Sequence, residues 1–457
     1  MNKPLYAQLE NPSQTPGLLI QGARVIDPSA GQDDILDIWT EAGVIRAIEK
    51  PGHISPDRAA IRIDARQLWA LPGFIDLHVH LREPGLEYKE TIETGTQAAA
   101  AGGFTAVACM ANTQPVNDNP IVTSYIREKA RKFASARVHI IGAVTRGLQG
   151  KELAEIGGMV REGAVALSDD GMPVMNSLIM RRAMEYAGGF GIPLISHAED
   201  ANLVNGGVVN ESALSHQLGL PGNPAAAEEI MVAREIALCR LTRTPIHIAH
   251  ISTAVAIEHV RRAKQDGLPV TAEASPHHLT LTEEAVRDLD SNTKMAPPLR
   301  SEKDVEALRK AVAEGVIDIL ATDHAPHGAV DKECEFVQAA NGILGLQTAA
   351  PLTYELVAKG IIPLQRWIES WTIQPARFLK LDAGQLRVGG PADITLFDPK
   401  ARWTLNSDGI FSKSKNTPFL GWNLHGRATH TIAGGILTHQ LEEKSTGPSR
   451  NQRGSSS

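Results

Sequence analysis

Gly73-Phe74-Ile75-Asp76-Leu77-His78-Val79-His80-Leu81-Arg82 is the stretch on which the reading of this chain turns. Its apolar start predicts a buried strand, and its end carries two histidines one residue apart. Side chains along a strand alternate faces, so His78 and His80 point the same way, about 7 Å apart along the chain. Two neutral imidazoles on one face at a strand end are the donors a divalent metal takes from a protein. Arg82 continues the alternation one step farther out, where its guanidinium can meet an anion. A His-x-His pair alone also fits two partly exposed strand-end histidines, so the rest of the chain has to decide.

Working outward, the same texture of short apolar runs recurs. Eight are found: Phe74–His80, Thr105–Met110, Val138–Gly142, Ala164–Ser168, Pro193–Ser196, Pro245–His250, Pro269–Ala274 and Ile317–Thr322. Helical segments such as Glu90–Ala101, Ser177–Ala187, Ala225–Arg240 and Glu302–Glu314 lie between them. Strand and helix alternating over about 250 residues is the rhythm of an α/β TIM barrel. An open doubly wound sheet is disfavoured because no Gly-rich phosphate loop follows the first strand. Before the barrel, Leu18–Ile20, Arg24–Asp27, Ile35–Ile38 and Gly43–Ile48 read as short strands. After it, Ala392–Phe397 alternates and Thr429–Ile432 precedes a Gly434-Gly435 turn. The expected organisation is a small β-sandwich built from both chain ends (1–70 and 376–441), a barrel over 71–375, and a polar, disordered tail over 442–457.

Composition narrows the function classes. A chain of 457 residues is too long for one ordinary core. With 42% hydrophobic and 21% charged residues it has the profile of a soluble globular enzyme. No apolar run reaches the length of a membrane span, and the N-terminal residues lack a signal-peptide pattern, so no membrane role is expected. Cys109, Cys239 and Cys334 form no CxxC, which speaks against a disulfide framework and a thiolate metal site and suits a reducing, cytoplasmic setting. Each cysteine reads as buried filler. The net charge of −7 argues against a nucleic-acid surface. It gives an anionic substrate no long-range help, so local cations must hold it.

Barrel enzymes build their sites from strand C-termini. The first strand ends in His78, His80 and Arg82, and the second at Asn112. The fourth ends at Asp169-Asp170, the fifth at His197 with Glu199 and Asp200, the sixth at His250, and the eighth at Asp323-His324-Ala325-Pro326-His327. Imidazole and carboxylate without thiolate favour Zn2+, one or two ions per subunit with two the better fit; manganese or cobalt could substitute. One ion could take His78, His80 and Asp323, a second His197 and His250, with Asp170 bridging. Such a pair can share a hydroxide that is nucleophilic at neutral pH. His197-Ala198-Glu199 also matches the H-x-E fragment of nucleobase deaminases, but the P-C-x-x-C partner motif is absent. Plainer roles stand beside these: Asp323 as a helix N-cap, Arg82 in a surface ion pair, Asn112 as a left-handed turn residue, and His247 as a satisfied core histidine.

The motifs Asp76–Gly85, Ala111–Pro115, Ser168–Gly171, Ser196–Asp200, His250–Thr253, Ser275–Leu279, Pro297–Arg300 and Thr322–His327 together resemble the dihydroorotases of the amidohydrolase superfamily. The match is to the bacterial type in which aspartate replaces a carboxylated-lysine bridge. The resemblance implies His78, His80, Asp170 and Asp323 on one metal and Asp170, His197 and His250 on the other. It implies that Arg82, Asn112 and His327 hold the substrate carboxylate, with His80 also a substrate contact, and that the backbone of Asn341 and Gly342 meets the pyrimidine ring. Asp170 rather than Asp169 has the family's spacing to His197. Ala296 departs from the pattern, which has an asparagine contact there.

The implied reaction is the reversible cyclisation of N-carbamoyl-L-aspartate to L-dihydroorotate and water, in de novo pyrimidine biosynthesis. A metal-bridged hydroxide attacks and Asp323 acts as general base, then acid. A homodimer is the family expectation. The alternatives are another cyclic amidohydrolase (hydantoinase or allantoinase), in which a lysine commonly stands at the Asp170 position, or a non-catalytic partner of aspartate transcarbamoylase. Scaffolding relatives lose ligands, whereas all six are present here. His277 and His278 match a family motif without being ligands and read as structural, and His324 as a support for its neighbours.

Overall fold

The structure is a computed structural model and describes Gln8 and residues 15–442. The tail read as disordered therefore lies, from residue 443 onward, outside the described residues.

The N-terminal segment supplies β1 (Leu18–Asp27), β2 (Gln32–Glu41), β3 (Val44–Glu49), β4 (Ile61–Asp64) and β5 (Trp69–Pro72). The two short runs read at its start merge into β1, whose ladder to β2 shifts register between Ile20 and Ala23. Gly22 lies in that shift with φ +67°, a conformation glycine adopts without a Cβ penalty.

Eight parallel strands follow: β6 (Phe74–Val79), β7 (Phe104–Cys109), β8 (Arg137–Gly142), β9 (Ala164–Ser168), β10 (Leu194–Ser196), β11 (Ile246–Ile248), β12 (Val270–Ala274) and β13 (Ile319–Leu320). They are hydrogen-bonded in sequence order. The barrel closes where Val79 bridges His324 in parallel and the His80 N–H donates to the His324 carbonyl at 2.9 Å. Leu77, Ala108, Ile141, Ala166, Ile195, Ala249 and Ile319, one from nearly every strand, form one buried cluster. Inward-facing side chains contributed by successive strands in this way fill the barrel interior.

The helices outside the strands start on the signals expected of them. Thr91 caps Ile92–Ala101 with a capping box, and Asn119 caps Pro120–Phe133 with a proline in its first turn. Their apolar sides pack on the strands in the main core with Trp367 and Trp371.

The C-terminal β14 (Ile394–Thr404), β15 (Asn423–Ala433) and β16 (Ile436–Gln440) join the N-terminal strands through β14 against β5. The two chain ends thus form one continuous eight-stranded sheet, with strands of both contributing to a single apolar cluster. One expectation fails: Cys109 and Cys239 are buried, but Cys334 is exposed. It lies just past the four-residue helix Ala329–Lys332, in a surface turn outside any apolar cluster.

Candidate metal centre

His78, His80, Asp170, His197, His250 and Asp323 are all buried, and the structure brings all six together. Two groups, His78–His80–Asp170 and Asp170–His197–His250, each place their ligating atoms within 4.8 Å of one another, and Asp170 belongs to both. Asp170 Oδ1 lies 3.3 Å from His78 Nε2, 3.3 Å from His250 Nε2 and 3.6 Å from His197 Nδ1. Asp170 Oδ2 lies 3.4 Å from His80 Nε2. Asp323 Oδ1 adds to the first group, 3.2 Å from His80 Nε2 and 3.5 Å from His78 Nε2. Asp323 is not a helix cap; the next helix is preceded by Gly328.

The far nitrogens of these rings are held from behind. His78 Nδ1 bonds Glu273 Oε1 at 2.7 Å, His80 Nδ1 bonds Asn112 Oδ1 at 2.8 Å, and His197 Nε2 bonds Glu199 Oε2 at 3.0 Å. An acceptor behind a ring fixes the N–H on that side and leaves the other nitrogen's lone pair for a cation. Among the described residues buried His78 Nε2 has no hydrogen-bond partner, although it faces two carboxylates. Charge points the same way. Burial alone would push His197 down, yet Asp170 and Glu199 lift it to about 10. Burial likewise opposes a charged His78, yet Asp170, Glu273 and Asp323 raise it well above the usual imidazole range. The acids make the middle of the cluster a place for positive charge. A donor set of imidazole nitrogens and carboxylate oxygens around a shared aspartate fits divalent metal.

Beside this cluster sits a second, cationic one. Arg82 is 8% exposed, so it is no surface ion pair; Nε donates to the Pro326 carbonyl at 3.1 Å and Nη2 lies 3.2 Å from His327 Nε2. Burial draws its guanidinium down to about 10, against the pull of Asp323 and Asp170. Asn112 has no positive φ, so the turn-residue alternative fails; its Oδ1 is engaged by His80. Gly342 packs on His327: a Cβ there would come within 2.8 Å of His327 Cδ2 and 2.6 Å of the Ala325 carbonyl. Asn416 Nδ2 bonds the Ala325 and Gly342 carbonyls, tying the 341–342 segment to the strand-end loop. Ala296 precedes Pro297, whose carbonyl receives His278 Nε2 at 3.0 Å.

Several neighbours support rather than line the site. Asp169 accepts from the Val144 and Thr145 N–H groups and the Thr145 hydroxyl, which explains why Asp170 alone joins the cluster. Glu199 backs His197 and accepts from Asn223 Nδ2 at 2.7 Å, while Asp200 is the helix-starting acid. His324 accepts from the Gly345 N–H at 3.1 Å. The His277 and His278 rings lie 4.3 Å apart at a 54° tilt, with His277 Nε2 and His278 Nδ1 unpartnered among the described residues.

Sequence reasoning missed Glu273. Its carboxylate bonds His78 Nδ1, His247 Nε2 at 3.1 Å and the His250 N–H at 3.2 Å. His247 is the core histidine expected, satisfied by Thr271 Oγ1 and Glu273. A lone acid inside the run Val270-Thr271-Ala272-Glu273-Ala274 was the available signal, because a buried charge needs partners.

Comparison with known proteins agrees. A dihydro-orotase-like family model matches residues 68–256. A dihydroorotase of Geobacter metallireducens is 51% identical over 423 residues, covering 93% of this chain and 99% of that protein. One of Geotalea daltonii is 49% identical over 425 residues, 93% of this chain and 100% of that protein. Among solved structures, an L-hydantoinase from Arthrobacter aurescens superposes with TM-score 0.84 at 24% identity, over 93% of this chain and 96% of that one. A D-hydantoinase from a Thermus species does so with TM-score 0.79 at 25% identity, over 93% and 97%. These likenesses carry the barrel fold. Fold and site together define a metal-dependent cyclic amide hydrolase acting on a small molecule. Half-identity over nearly the whole length then narrows the class: the chain belongs to the dihydroorotase family. Among the described residues no helix is long and apolar enough to cross a membrane.

Proposed function

We propose that this protein is a dihydroorotase that interconverts N-carbamoyl-L-aspartate and L-dihydroorotate in de novo pyrimidine synthesis. One observation carries the reading: Asp170 is shared by two groups of imidazoles, and a buried arginine–histidine pair stands beside the same cluster. In this reading two zinc ions are held, one by His78, His80, Asp170 and Asp323, the other by Asp170, His197 and His250. When bound they polarise the scissile carbonyl and make water nucleophilic at neutral pH.

The protein's own groups do the rest. Asp323 faces the cluster through Oδ1 and accepts the proton of the attacking water there, then returns it to the departing amide nitrogen. Arg82 offers a planar fork to the free carboxylate, and His327 and Asn112 complete its seat. The main chain at Asn341 and Gly342 borders the ring, and His80 lies where it touches both metal and substrate. In the reverse direction the same contacts hold carbamoyl aspartate with its amide nitrogen facing its side-chain carboxyl group, which removes much of the entropic cost of ring closure.

Three unpaired cysteines support a reducing, cytoplasmic setting. The family resemblance supports a homodimer. Gel filtration of the protein alone, and mixed with aspartate transcarbamoylase, tests both assembly readings. The decisive experiment for function is metal analysis coupled to steady-state assays with dihydroorotate, hydantoin and allantoin. Turnover of dihydroorotate in both directions is expected. Preference for hydantoin or allantoin would overturn the reading.

A further inference from the structure

His327 is caught between two cations. Lys89 Nζ lies 3.2 Å from its Nδ1, and Arg82 Nη2 lies 3.2 Å from its Nε2. Ammonium and guanidinium groups only donate hydrogen bonds, whereas a neutral imidazole has one donor and one acceptor nitrogen. The ring is neutral: burial, with Arg82, Lys89 and Lys332 nearby, pushes it down to about 2. It can therefore accept from one of the two cations and must turn an N–H toward the other.

The surroundings choose between them. Lys89 is anchored from behind by Asp331 Oδ2 at 3.4 Å. Asp331 is itself fixed by the Tyr88 hydroxyl at 3.2 Å and the Gly328 N–H at 3.0 Å. The Lys89 main chain is held by Ser414 Oγ at 2.6 Å, and the backbone of His327 by Asn416 Oδ1 at 2.9 Å. The backbones from which Lys89 and the ring extend are thus both fixed. Asp331 Oδ2 stands 3.8 Å from His327 Nδ1, beyond hydrogen-bond distance, so it does not compete for an N–H on that nitrogen.

We propose that Lys89 is a positioning residue for substrate recognition: it donates to His327 Nδ1 and so places the ring's N–H on Nε2, beside the Arg82 guanidinium. The two donors then converge on one point, which is the seat of a carboxylate. Without Lys89 the ring accepts from Arg82 instead, and the pair closes on itself. The inference rests on the reading of Arg82 and His327 as the carboxylate seat.

Its test has a spectroscopic arm that needs no substrate. Long-range 1H–15N spectra of 15N-histidine-labelled protein, with His327 assigned through His327→Gln, report which ring nitrogen carries hydrogen. The Nε2–H form is expected in the wild-type protein, with a shift toward Nδ1–H in Lys89→Met. In the kinetic arm, Lys89→Met should raise KM for L-dihydroorotate about tenfold, the worth of one hydrogen bond, with kcat within twofold and metal content unchanged. Lys89→Arg, which keeps a donor, should recover most of the loss. An Nδ1–H ring in the wild-type protein overturns the proposal, as does an unchanged KM in Lys89→Met. A raised KM with the ring still Nε2–H also overturns it, since Lys89 would then act through charge alone. If Lys89→Met fails to fold, the wild-type spectrum still decides. An Nε2–H ring in a protein that does not turn over dihydroorotate would sink the dihydroorotase reading and leave the tautomer assignment standing.

Discussion

Replacing Glu273 by Gln should weaken metal binding while leaving the fold intact. The carboxylate is fully buried and receives three N–H groups, from His78, His247 and the His250 backbone. Glutamine keeps its size, so no cavity opens, but it offers one acceptor and one donor arm where there were two acceptors. If the oxygen faces His78, the 2.7 Å bond survives without its charge assistance. If the amide faces His78, the imidazole must accept at Nδ1 and carry its hydrogen on Nε2, which blocks the nitrogen that faces Asp170. A hydrogen bond to a charged group contributes about 1.5–3 kcal/mol. At about 1.4 kcal/mol per tenfold, the expected loss in zinc affinity is roughly 10- to 100-fold, the range typical of residues that orient metal-bound histidines. Competition against a chelator of known affinity measures it directly, and the melting temperature of the metal-free protein checks the fold. A zinc dissociation constant within threefold of wild type, in a protein that melts normally, would refute the orienting role of Glu273.

Arg82→Met should raise KM for dihydroorotate by roughly two orders of magnitude, the scale of a lost bidentate charged contact, with metal content intact by elemental analysis. Asp323→Asn should lower kcat about 10²- to 10⁴-fold in both directions; near-normal turnover would remove it as the proton carrier. Gly342→Ala forces a Cβ against the Ala325 carbonyl and the His327 ring, so KM should rise more than kcat falls in steady-state assays. Burial and Arg137 together push His139 down to about 4. Between that value and the unfolded 6.5 the unfolded chain binds the extra proton, so its contribution is neutral above pH 6.5 and turns destabilising as pH falls toward 4. His139→Gln should therefore lose less stability than wild type between pH 7.5 and 5, by on the order of 2 kcal/mol in urea titrations.

The cluster of imidazoles and carboxylates was legible because barrel geometry converts sequence position into location: a residue at or just past a strand end lies on the rim. That rule needs only strand endings, and it found His78, His80, Asp170, His197, His250 and Asp323 from runs whose boundaries differ by a residue or two from the observed strands. It could not find Glu273, which lies within a strand, because its inward direction depends on pleat and register rather than on sequence order. Nor could it find Lys89, which reaches His327 across more than two hundred residues from a loop with no period to read. Arg82, His250 and Asp323 were identified as residues but not as conformations. All three have positive φ, at 62°, 29° and 47°, in a region that side-chain-bearing residues rarely adopt.

That backbone strain says something about how the site is built. Each positive φ costs on the order of 1–3 kcal/mol and persists only where the surroundings over-determine it. Here they do: the His250 N–H is held by Glu273, and Arg82 Nε by the Pro326 carbonyl. Beside Asp323, Thr322 is pinned by Asp76, through its N–H at 3.0 Å and its hydroxyl at 2.5 Å. The last of these joins β6 to the segment after β13, where the barrel closes through Val79 and His324. The seam of the barrel and the centre of the site are thus the same place, since His80 and Asp323 approach to 3.2 Å across it. A protein whose closure ran elsewhere could breathe at its seam without disturbing its chemistry. In this one, any opening between the first and last strands would part His78 and His80 from Asp323, so on the proposed reading the strength of the barrel wall sets the precision of the site.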